Sequence, residues 1–366
     1  MKKDQTNLLK LHLDNILEKS FHPTKDFNKA YYENIPHIFY KFRECNMDNF
    51  DALENEYLWL VKAEEFEEDL FDSTIYYDIS KQRLRIKRVI ENRLPEIIIE
   101  VVRKELAKKG IQVDITTADF QKIIEHKNLF INSKSQLKTK EVKKHFIQCG
   151  LNPHKTNELI HTLKKLMSKD SIEAKSKTFL KKLNSLNEIT RRSHYVSCLT
   201  LEKNNDIMWN RYAANKTGFC IAYDISKLEY IGFEKYQFLY NLQPMIYKKR
   251  KQFDISKLFD LAISKYMRDK KINQEKNIII EMNMQVRTKK PDYSYENEWR
   301  IIIEKSHMRN RKHYFPFACA IYAGFSITEQ NLAKLKEIAH KLSVPIYLQE
   351  LSDSKSEYIY TKYCVL

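Results

Sequence analysis

The sequence predicts a mixed α+β protein in which two strand-rich segments, separated by a helical insertion, build one sheet. Strand patterns cluster in residues 31–72 and return after Arg192, whereas residues 73–190 carry helical periodicity. We therefore predict an N-terminal helix at 1–30, a core formed by 31–72 and 191–366, and a basic helical insertion at 73–190. A chain of 366 residues, 43% of them hydrophobic, is long enough to bury a sizeable core.

In the first strand-rich segment, the spacing of apolar residues defines each element. Leucine and isoleucine side chains between residues 5 and 20 share one face, which predicts an amphipathic first helix. Residues Ile38–Arg43 and Tyr57–Val61 predict two strands, and the acidic stretch Met47–Asn55 predicts a helix between them.

The second strand-rich segment repeats short runs of β-branched and aromatic residues. Thr328 is expected to cap a helix whose apolar face includes Leu335 and Ile338. The predicted strands are His194–Leu199, Gly218–Tyr223, Met245–Tyr247, Trp299–Ile303, Ala320–Tyr322 and Pro345–Leu351.

Positive charge is concentrated in the insertion. The chain has a net charge of +16, and residues 117–190 hold fifteen lysines against seven acids. Gly150 and Asn152-Pro153 predict a turn between two helices within Glu141–Leu166, a pattern that suits helix packing as well as DNA reading. A lysine run is often only a solvated face, but a basic lobe can also hold a nucleic acid backbone. The lysines expected to do so are Lys143, Lys144, Lys164 and Lys165.

Several classes of protein are excluded by composition. The five glycines are far apart, so neither a dinucleotide-binding glycine turn nor a phosphate-binding loop can be built. The six cysteines include no Cys-x-x-Cys pair, which disfavours a zinc cluster and a disulfide framework. No apolar run is long enough to cross a bilayer and no signal peptide is evident, so we expect a cytoplasmic protein that does not contact membranes.

The densest polar run, Pro291–Ile303, places alternating aromatic, acidic and basic residues before an apolar strand. If the strand begins early, Glu296 and Glu298 point to one face about 7 Å apart. Such a pair could act as acid and base, ligate a metal or stabilise a cation. It could equally form a salt-bridged strand edge with Arg300.

A second group of residues could enclose a flat ring. The strand Tyr195–Thr200, the short helix Met208–Ala213 and the strand Gly218–Asp224 are separated by short polar turns. Trp209 and Tyr212, three residues apart on that helix, share a face that either stacks on a ligand or packs in the core.

Four segments resemble a bacterial domain-of-unknown-function family, number 2971. The last of them, Tyr-Glu-Asn-Glu-Trp-Arg, is similar to the family's Tyr-Glu-Lys-Glu-Trp-Arg and is the most specific. Glu68 and Leu70 replace the asparagine and proline that the family has in its Asn-Asp-Pro-Phe-Asp/Glu run. The four segments are Phe39–Arg43, Leu58–Asp72, Ser197–Ile221 and Tyr295–Arg300.

The order of these segments is also similar to the layout of ADP-ribosyltransferases, whose split, mixed or antiparallel sheet holds NAD as a co-substrate without a metal. That resemblance implies that Glu298 is the catalytic glutamate and that Glu296 faces the acceptor. The residues it implies for NAD are Tyr40, Lys41 and Arg43 at the phosphates or adenosine ribose, Ser197 and Thr200 beside the nicotinamide, and Trp209 or Tyr212 stacked on the ring.

The resemblance implies a mono-ADP-ribosyltransferase that serves as a toxin or anti-phage effector, with RNA or DNA as the acceptor and an antitoxin protein as a further partner. Two alternatives stay open. Pro291-Asp292 with Glu296 and Glu298 is faintly similar to a metal-dependent nuclease site, although Arg300 replaces its lysine. The chain could also bind nucleic acid without catalysis.

Overall fold

The computed structural model describes most of the strand-rich part of the chain and some of the helical part. The predicted N-terminal helix at 1–30 lies outside the described residues. These are 32–66, 72–78, 80–82, 84–86, 88–89, 93, 138–148, 152–166, 185–227, 241–266, 272–305, 310–354 and 357–364.

The chain divides into two compact units. The first consists of Met1–Ile75, Asn187–Lys251 and Met282–Leu366, and the second of Tyr76–Leu186 and Gln252–Glu281. This division differs from the predicted one, because residues 252–281, expected in the core, group with the helical segment.

The elements are numbered in chain order. The strands are β1 Ile38–Arg43, β2 Tyr57–Trp59, β3 Val61–Lys62, β4 His194–Thr200, β5 Phe219–Asp224, β6 Leu242–Pro244, β7 Ile246–Tyr247, β8 Thr288–Lys289, β9 Glu298–Glu304, β10 Lys312–Tyr314, β11 Ala318–Ala323, β12 Ile346–Leu351 and β13 Tyr358–Cys364. The α-helices with defined ends are α1 Met47–Glu54, α2 Thr139–Gln148, α3 Pro153–Leu166, α4 Leu186–Ser193, α5 Asp206–Tyr212, α6 Ile255–Tyr266, α7 Ile272–Val286 and α8 Glu329–Leu342.

One large mixed sheet dominates the first unit, which confirms the mixed α+β class. Its strand order is β13-β12-β11-β5-β1-β4-β9-β6, with β3 pairing beside β4. All pairs within it are antiparallel except β11 with β12. The predicted cap of α8 is also confirmed, because the Thr328 side chain accepts a hydrogen bond from the backbone N–H of Asn331.

Two predicted strands are broken in the structure. Tyr57–Val61 divides at Leu60 into β2, which pairs with β10, and β3, which pairs with β4. The predicted strand Met245–Tyr247 is reduced to β7, which pairs with β8 in a separate two-stranded sheet. In both places the chain changes pairing partner, and hydrophobic alternation carries no signal for such a change.

The large sheet is packed differently on its two faces. Side chains such as Phe39, Trp299 and Ile321 point to the face covered by α1 and α8, where they form the main hydrophobic core. On the opposite face, α5 packs Met208 and Trp209 into a smaller cluster. Glu298 and Arg300 of the site discussed below lie on this second face, whereas Lys41 and Arg43 leave β1 on the side of Phe39.

The sheet opens between two neighbouring strands near its middle, β1 and β4. β1 pairs with β5 along its whole length, but it meets β4 at a single residue pair, Tyr40 with Thr200. Further along, β4 pairs with β3 instead. The Lys41 side chain enters the gap, where its Nζ donates to the carbonyl oxygen of Cys198 at 2.6 Å.

In the second unit, α2 and α3 pack against each other, and α3 begins at Pro153 as predicted. Lys144 and Lys164 are exposed and Lys143 is half-buried, whereas the Lys165 side chain lies outside the described residues. Within the described part of the chain, no helix is both long enough and apolar enough to cross a bilayer.

Candidate functional site

The carboxylates of Glu296 and Glu298 lie close together, as predicted, but the backbone that connects them differs from the prediction. Residues Pro291–Glu296 form a 3-10 helix, and the strand begins only at Glu298. Asn297 between them adopts the left-handed conformation, with φ 39° and ψ 46°. The prediction that Glu296 and Glu298 share a face of one strand is therefore wrong, because a turn rather than strand alternation brings their carboxylates together.

Five buried ionic side chains surround this turn. Lys289 Nζ lies 2.6 Å from Glu296 Oε2 and 2.9 Å from Glu298 Oε2. Arg300 Nε lies 2.6 Å from Glu298 Oε1, and its two terminal nitrogens each lie 2.7 Å from an oxygen of Asp72. Three carboxylates against two cations leave one surplus negative charge. We call this group the acidic cluster.

The cluster shifts its members' pKa values in opposite directions. Burial alone would raise the pKa of Glu298, but Arg300 and Lys289 outweigh burial and hold it far below its ordinary value. Burial and the neighbouring Glu298 raise the pKa of Glu296. The two cations therefore favour the ionised form of Glu298, whereas the pKa of Glu296 is shifted in the opposite direction.

The two carboxylates also differ in how many hydrogen bonds they can still accept. Three donors from Arg300 and Lys289, joined by the Cys198 thiol, point at Glu298. A carboxylate offers about four lone-pair positions, so Glu298 is saturated. Glu296 accepts one bond from Lys289 and one, at 3.0 Å, from the Tyr212 hydroxyl. Of the pair, Glu296 retains capacity for a ligand.

A cavity of about 390 Å³ adjoins the acidic cluster. Its volume lies within the range of about 300–1,000 Å³ that is usual for small-molecule sites. The lining residues are Tyr40, Lys41, Phe42, Arg43, Glu65, Phe66, Asp72, Cys198, Leu199, Thr200, Met208, Tyr212, Lys289, Tyr293, Glu296, Glu298 and Arg300.

Two cations from β1 line the cavity apart from the acidic cluster. Lys41 Nζ donates to Ser197 Oγ at 3.1 Å and to the carbonyl oxygen of Cys198, both neutral acceptors. Burial and the nearby Arg43 lower the pKa of Lys41 to about 7. Among the described residues, no carboxylate lies within salt-bridge distance of Lys41 or Arg43. Two adjacent cations without a carboxylate partner are suited to binding an anion.

The structure brings most of the residues expected to bind NAD to this cavity. Tyr40, Lys41, Arg43, Thr200 and Tyr212 line it. The Thr200 hydroxyl donates to the carbonyl oxygen of Glu296 at 2.6 Å and so fixes the acidic turn.

Two residues expected to bind NAD, Ser197 and Trp209, do not line the cavity. Ser197 is buried and touches the site through Lys41. Trp209 is fully buried, its ring lies edge-on to Phe42, and its indole N–H donates to Lys203 O and Tyr360 Oη. The expectation that Trp209 stacks on a ligand is corrected, because this side chain belongs to the packed interior.

Asp72 and Lys289 are members of the site that the sequence did not single out. Asp72 closes the Phe66–Asp72 run that resembles the family, so its position there was an available signal. Lys289 lies in the two-residue strand β8, and nothing in the sequence distinguishes it from the many exposed lysines. In the part of the chain that the structure describes, no group of three or more His, Cys, Asp or Glu side chains could hold a metal ion.

Comparison with known protein families finds a match over part of the chain. Residues 208–301 are similar to the family of proteins of unknown function DUF2971. The matched segment contains Tyr212, Lys289, Glu296, Glu298 and Arg300, and therefore most of the acidic cluster. Searches of curated proteins and of solved structures find no significant match.

Proposed function

We propose that this protein is an NAD-dependent mono-ADP-ribosyltransferase whose acceptor is a nucleic acid. The observation that carries the proposal is that one cavity, where the sheet opens between β1 and β4, is lined both by the acidic cluster and by the cations Lys41 and Arg43. This combination is suited to a substrate that has a phosphate group at one part and develops positive charge at another.

The order of the strands supports the proposal. A basic strand, a serine/threonine strand and a glutamate strand are adjacent in the sheet as β1, β4 and β9. Their order, and the gap between β1 and β4, resemble the split-sheet layout of ADP-ribosyltransferases. The short helix α5 that follows β4 contributes Met208 and Tyr212 to the cavity.

The lining residues offer a counterpart to each part of the NAD molecule. Lys41 and Arg43 would hold the pyrophosphate. The rings of Tyr40, Tyr212 and Tyr293 would flank flat heterocycles. NAD supplies an activated bond between nicotinamide and ribose, and the ribose becomes cationic as that bond breaks.

We assign contact with the ribose to Glu296. Its carboxylate keeps acceptor positions for a ribose hydroxyl, and the surplus negative charge of the acidic cluster would stabilise the cationic transition state. Glu298 would act as a positioning residue, because Lys289 bonds to both carboxylates and transmits the position of one to the other. This assignment reverses the roles that the resemblance implies for the two glutamates.

A nucleic acid acceptor is favoured by charge. The net charge of +16 attracts polyanions, and Lys144 and Lys164 are exposed on their helices. With Lys143 and Lys165 they remain our proposed backbone contacts. The resemblance to transferases that act as toxins or anti-phage effectors suggests the same biological role here, in the cytoplasm and under the control of an antitoxin protein.

The test is to incubate the protein with NAD labelled on the adenine side, with cellular RNA, DNA and protein, in the presence of EDTA. We expect label to be transferred to RNA or DNA, and the transfer to be lost in Glu296→Gln. The absence of both transfer and nicotinamide release would refute the proposal. Degradation of nucleic acid after magnesium is restored would instead support the nuclease alternative.

A further inference from the structure

Four tyrosines form a connected patch on the sheet face that carries the cavity. The Tyr322 ring lies 6.3 Å from Tyr40, 5.1 Å from Tyr347 and 5.1 Å from Tyr360, measured between ring centroids. The four rings come from β1, β11, β12 and β13. We call this patch the tyrosine face.

Strand register explains why these rings share one side of the sheet. Tyr322 is directly opposite Tyr347, and Tyr360 is opposite Gln349, two residues further along β12. Residues directly opposite each other, and residues two apart on a strand, point to the same face. Tyr40 and Tyr322 are separated by the small residues of β5 and β11, which leave room for the two rings to meet.

Lysines accompany the rings. Lys203 Nζ lies 4.6 Å from the centroid of Tyr322 and 4.8 Å from that of Tyr360. Lys362 is opposite Tyr347 and is exposed. At the end of the patch, Lys216 lies 3.9 Å from the centroid of Tyr358 and also pairs with Asp206.

The tyrosine face is accessible at the rings around its centre, whereas the central Tyr322 is buried at 9% exposure, and the face is continuous with the cavity. Tyr40, Tyr347 and Tyr360 are half-buried, whereas the side chains that β11 and β12 point to the other face are packed under α8. Tyr40 both lines the cavity and contacts Tyr322. An extended ligand bound along the tyrosine face would therefore pass Tyr40 and reach the acidic cluster.

We propose that the tyrosine face binds single-stranded nucleic acid and guides it to the cavity. Every base has a flat face that can stack on a tyrosine ring, and the adjacent lysines would meet the phosphates. A duplex hides its base faces, so such a surface selects single strands. The role of the bound strand as acceptor rests on the proposed function, but its binding requires no turnover.

The test is fluorescence anisotropy with labelled oligouridylate and oligothymidylate of about 15 nucleotides, alone and annealed to their complements, in EDTA. We expect tighter binding of the single strands. Tyr347→Leu should weaken that binding by roughly 5- to 150-fold, and Tyr347→Phe, which keeps the ring, should retain it. Lys362→Gln should lower the slope of log affinity against log salt by about 0.7.

Tyr363→Leu is the matched control. Tyr363 lies on the opposite face of β13, is exposed, and carries Lys336 Nζ at 4.4 Å from its ring centroid, so it has the same chemistry in a different place. We expect this variant to bind like the unaltered protein. Preferential binding of duplexes, equal losses in Tyr347→Leu and Tyr363→Leu, or full binding by Tyr347→Leu would each overturn the proposal. Binding that is lost as expected while NAD remains uncleaved would support this surface and refute the proposed transferase separately.

Discussion

Replacing each glutamate of the acidic cluster by glutamine should have different consequences. Glu298→Gln removes the charge to which Arg300 and Lys289 both bond, leaving Arg300, which is 1% exposed, with Asp72 as its carboxylate partner. The two cations still face two carboxylates, but the glutamine amide turns an N–H donor towards the buried donors of Arg300 and Lys289, and leaving such charged groups unsatisfied costs about 3 kcal/mol. In a folding unit of this size each kcal/mol lowers Tm by about 2–4 °C, so we expect a decrease of roughly 6–12 °C.

Glu296→Gln should instead affect activity. Lys289 keeps its bond to Glu298 and Arg300 keeps its bonds to Asp72, so each buried cation retains a carboxylate partner. We expect a loss of about 1 kcal/mol in the free energy of unfolding, or about 2–4 °C in Tm. Removing the group that stabilises the developing charge should lower the rate of NAD cleavage by about 10²- to 10³-fold.

Both variants would be measured by thermal unfolding and by nicotinamide release in EDTA. Glu54→Gln is the control, since Glu54 also has two lysine partners, Lys334 and Lys341, but lies at the surface. It should leave Tm and activity almost unchanged. The reasoning would be refuted by an active Glu296→Gln. It would also be refuted by a Glu298→Gln variant that keeps the original Tm and loses all activity, which would restore the roles implied by the resemblance.

Three further predictions concern the surroundings of the cluster. An anion binds the protonated form of Lys41, whose pKa is about 7, so KM for NAD should rise as the pH increases through about 7. Lys41→Gln should flatten this dependence of KM on pH. Identical pH profiles for the variant and the unaltered protein would contradict the assignment. Gly218→Ala should cost about 1–3 kcal/mol, because a Cβ there would lie 2.2 Å from the Arg43 carbonyl oxygen; an unchanged Tm would contradict this. Charge reversal in the insertion should weaken nucleic acid modification but leave nicotinamide release unchanged, and equal loss of both would argue against a role in acceptor binding. The lysines to reverse are Lys143, Lys144, Lys164 and Lys165.

The sequence predicts the sheet better than it predicts the site. Strands β4, β5 and β11 begin and end within two residues of their predicted limits, because each is buried on both faces and therefore appears in the sequence as a short run of mostly apolar residues. The turn at Asn297 has no such signal, since asparagine tolerates the left-handed conformation without requiring it. The burial of Trp209 was also undecidable from spacing, because an aromatic residue follows the same helical period in a core and in a binding site.

The acidic cluster was beyond prediction for a different reason. Arg300 and Asp72 are 228 positions apart, and only the assembled sheet brings them together. A charge pattern within one segment identifies Glu296 and Glu298 but not the cations that neutralise them. This is why the sequence identified the correct two glutamates, although the prediction that one strand carries both was wrong.

Burying five ionic side chains is also informative about function. Moving each charge out of water costs several kcal/mol, and well-packed apolar residues of similar volume often stabilise a fold as well or better than a buried ion pair. Structural stability alone is therefore a weak reason for Asp72, Arg300, Lys289 and two glutamates to occupy one buried position. The cluster also lines a cavity, carries a surplus negative charge, and shifts the pKa values of its two glutamates in opposite directions. These are the features expected where charge develops during a reaction.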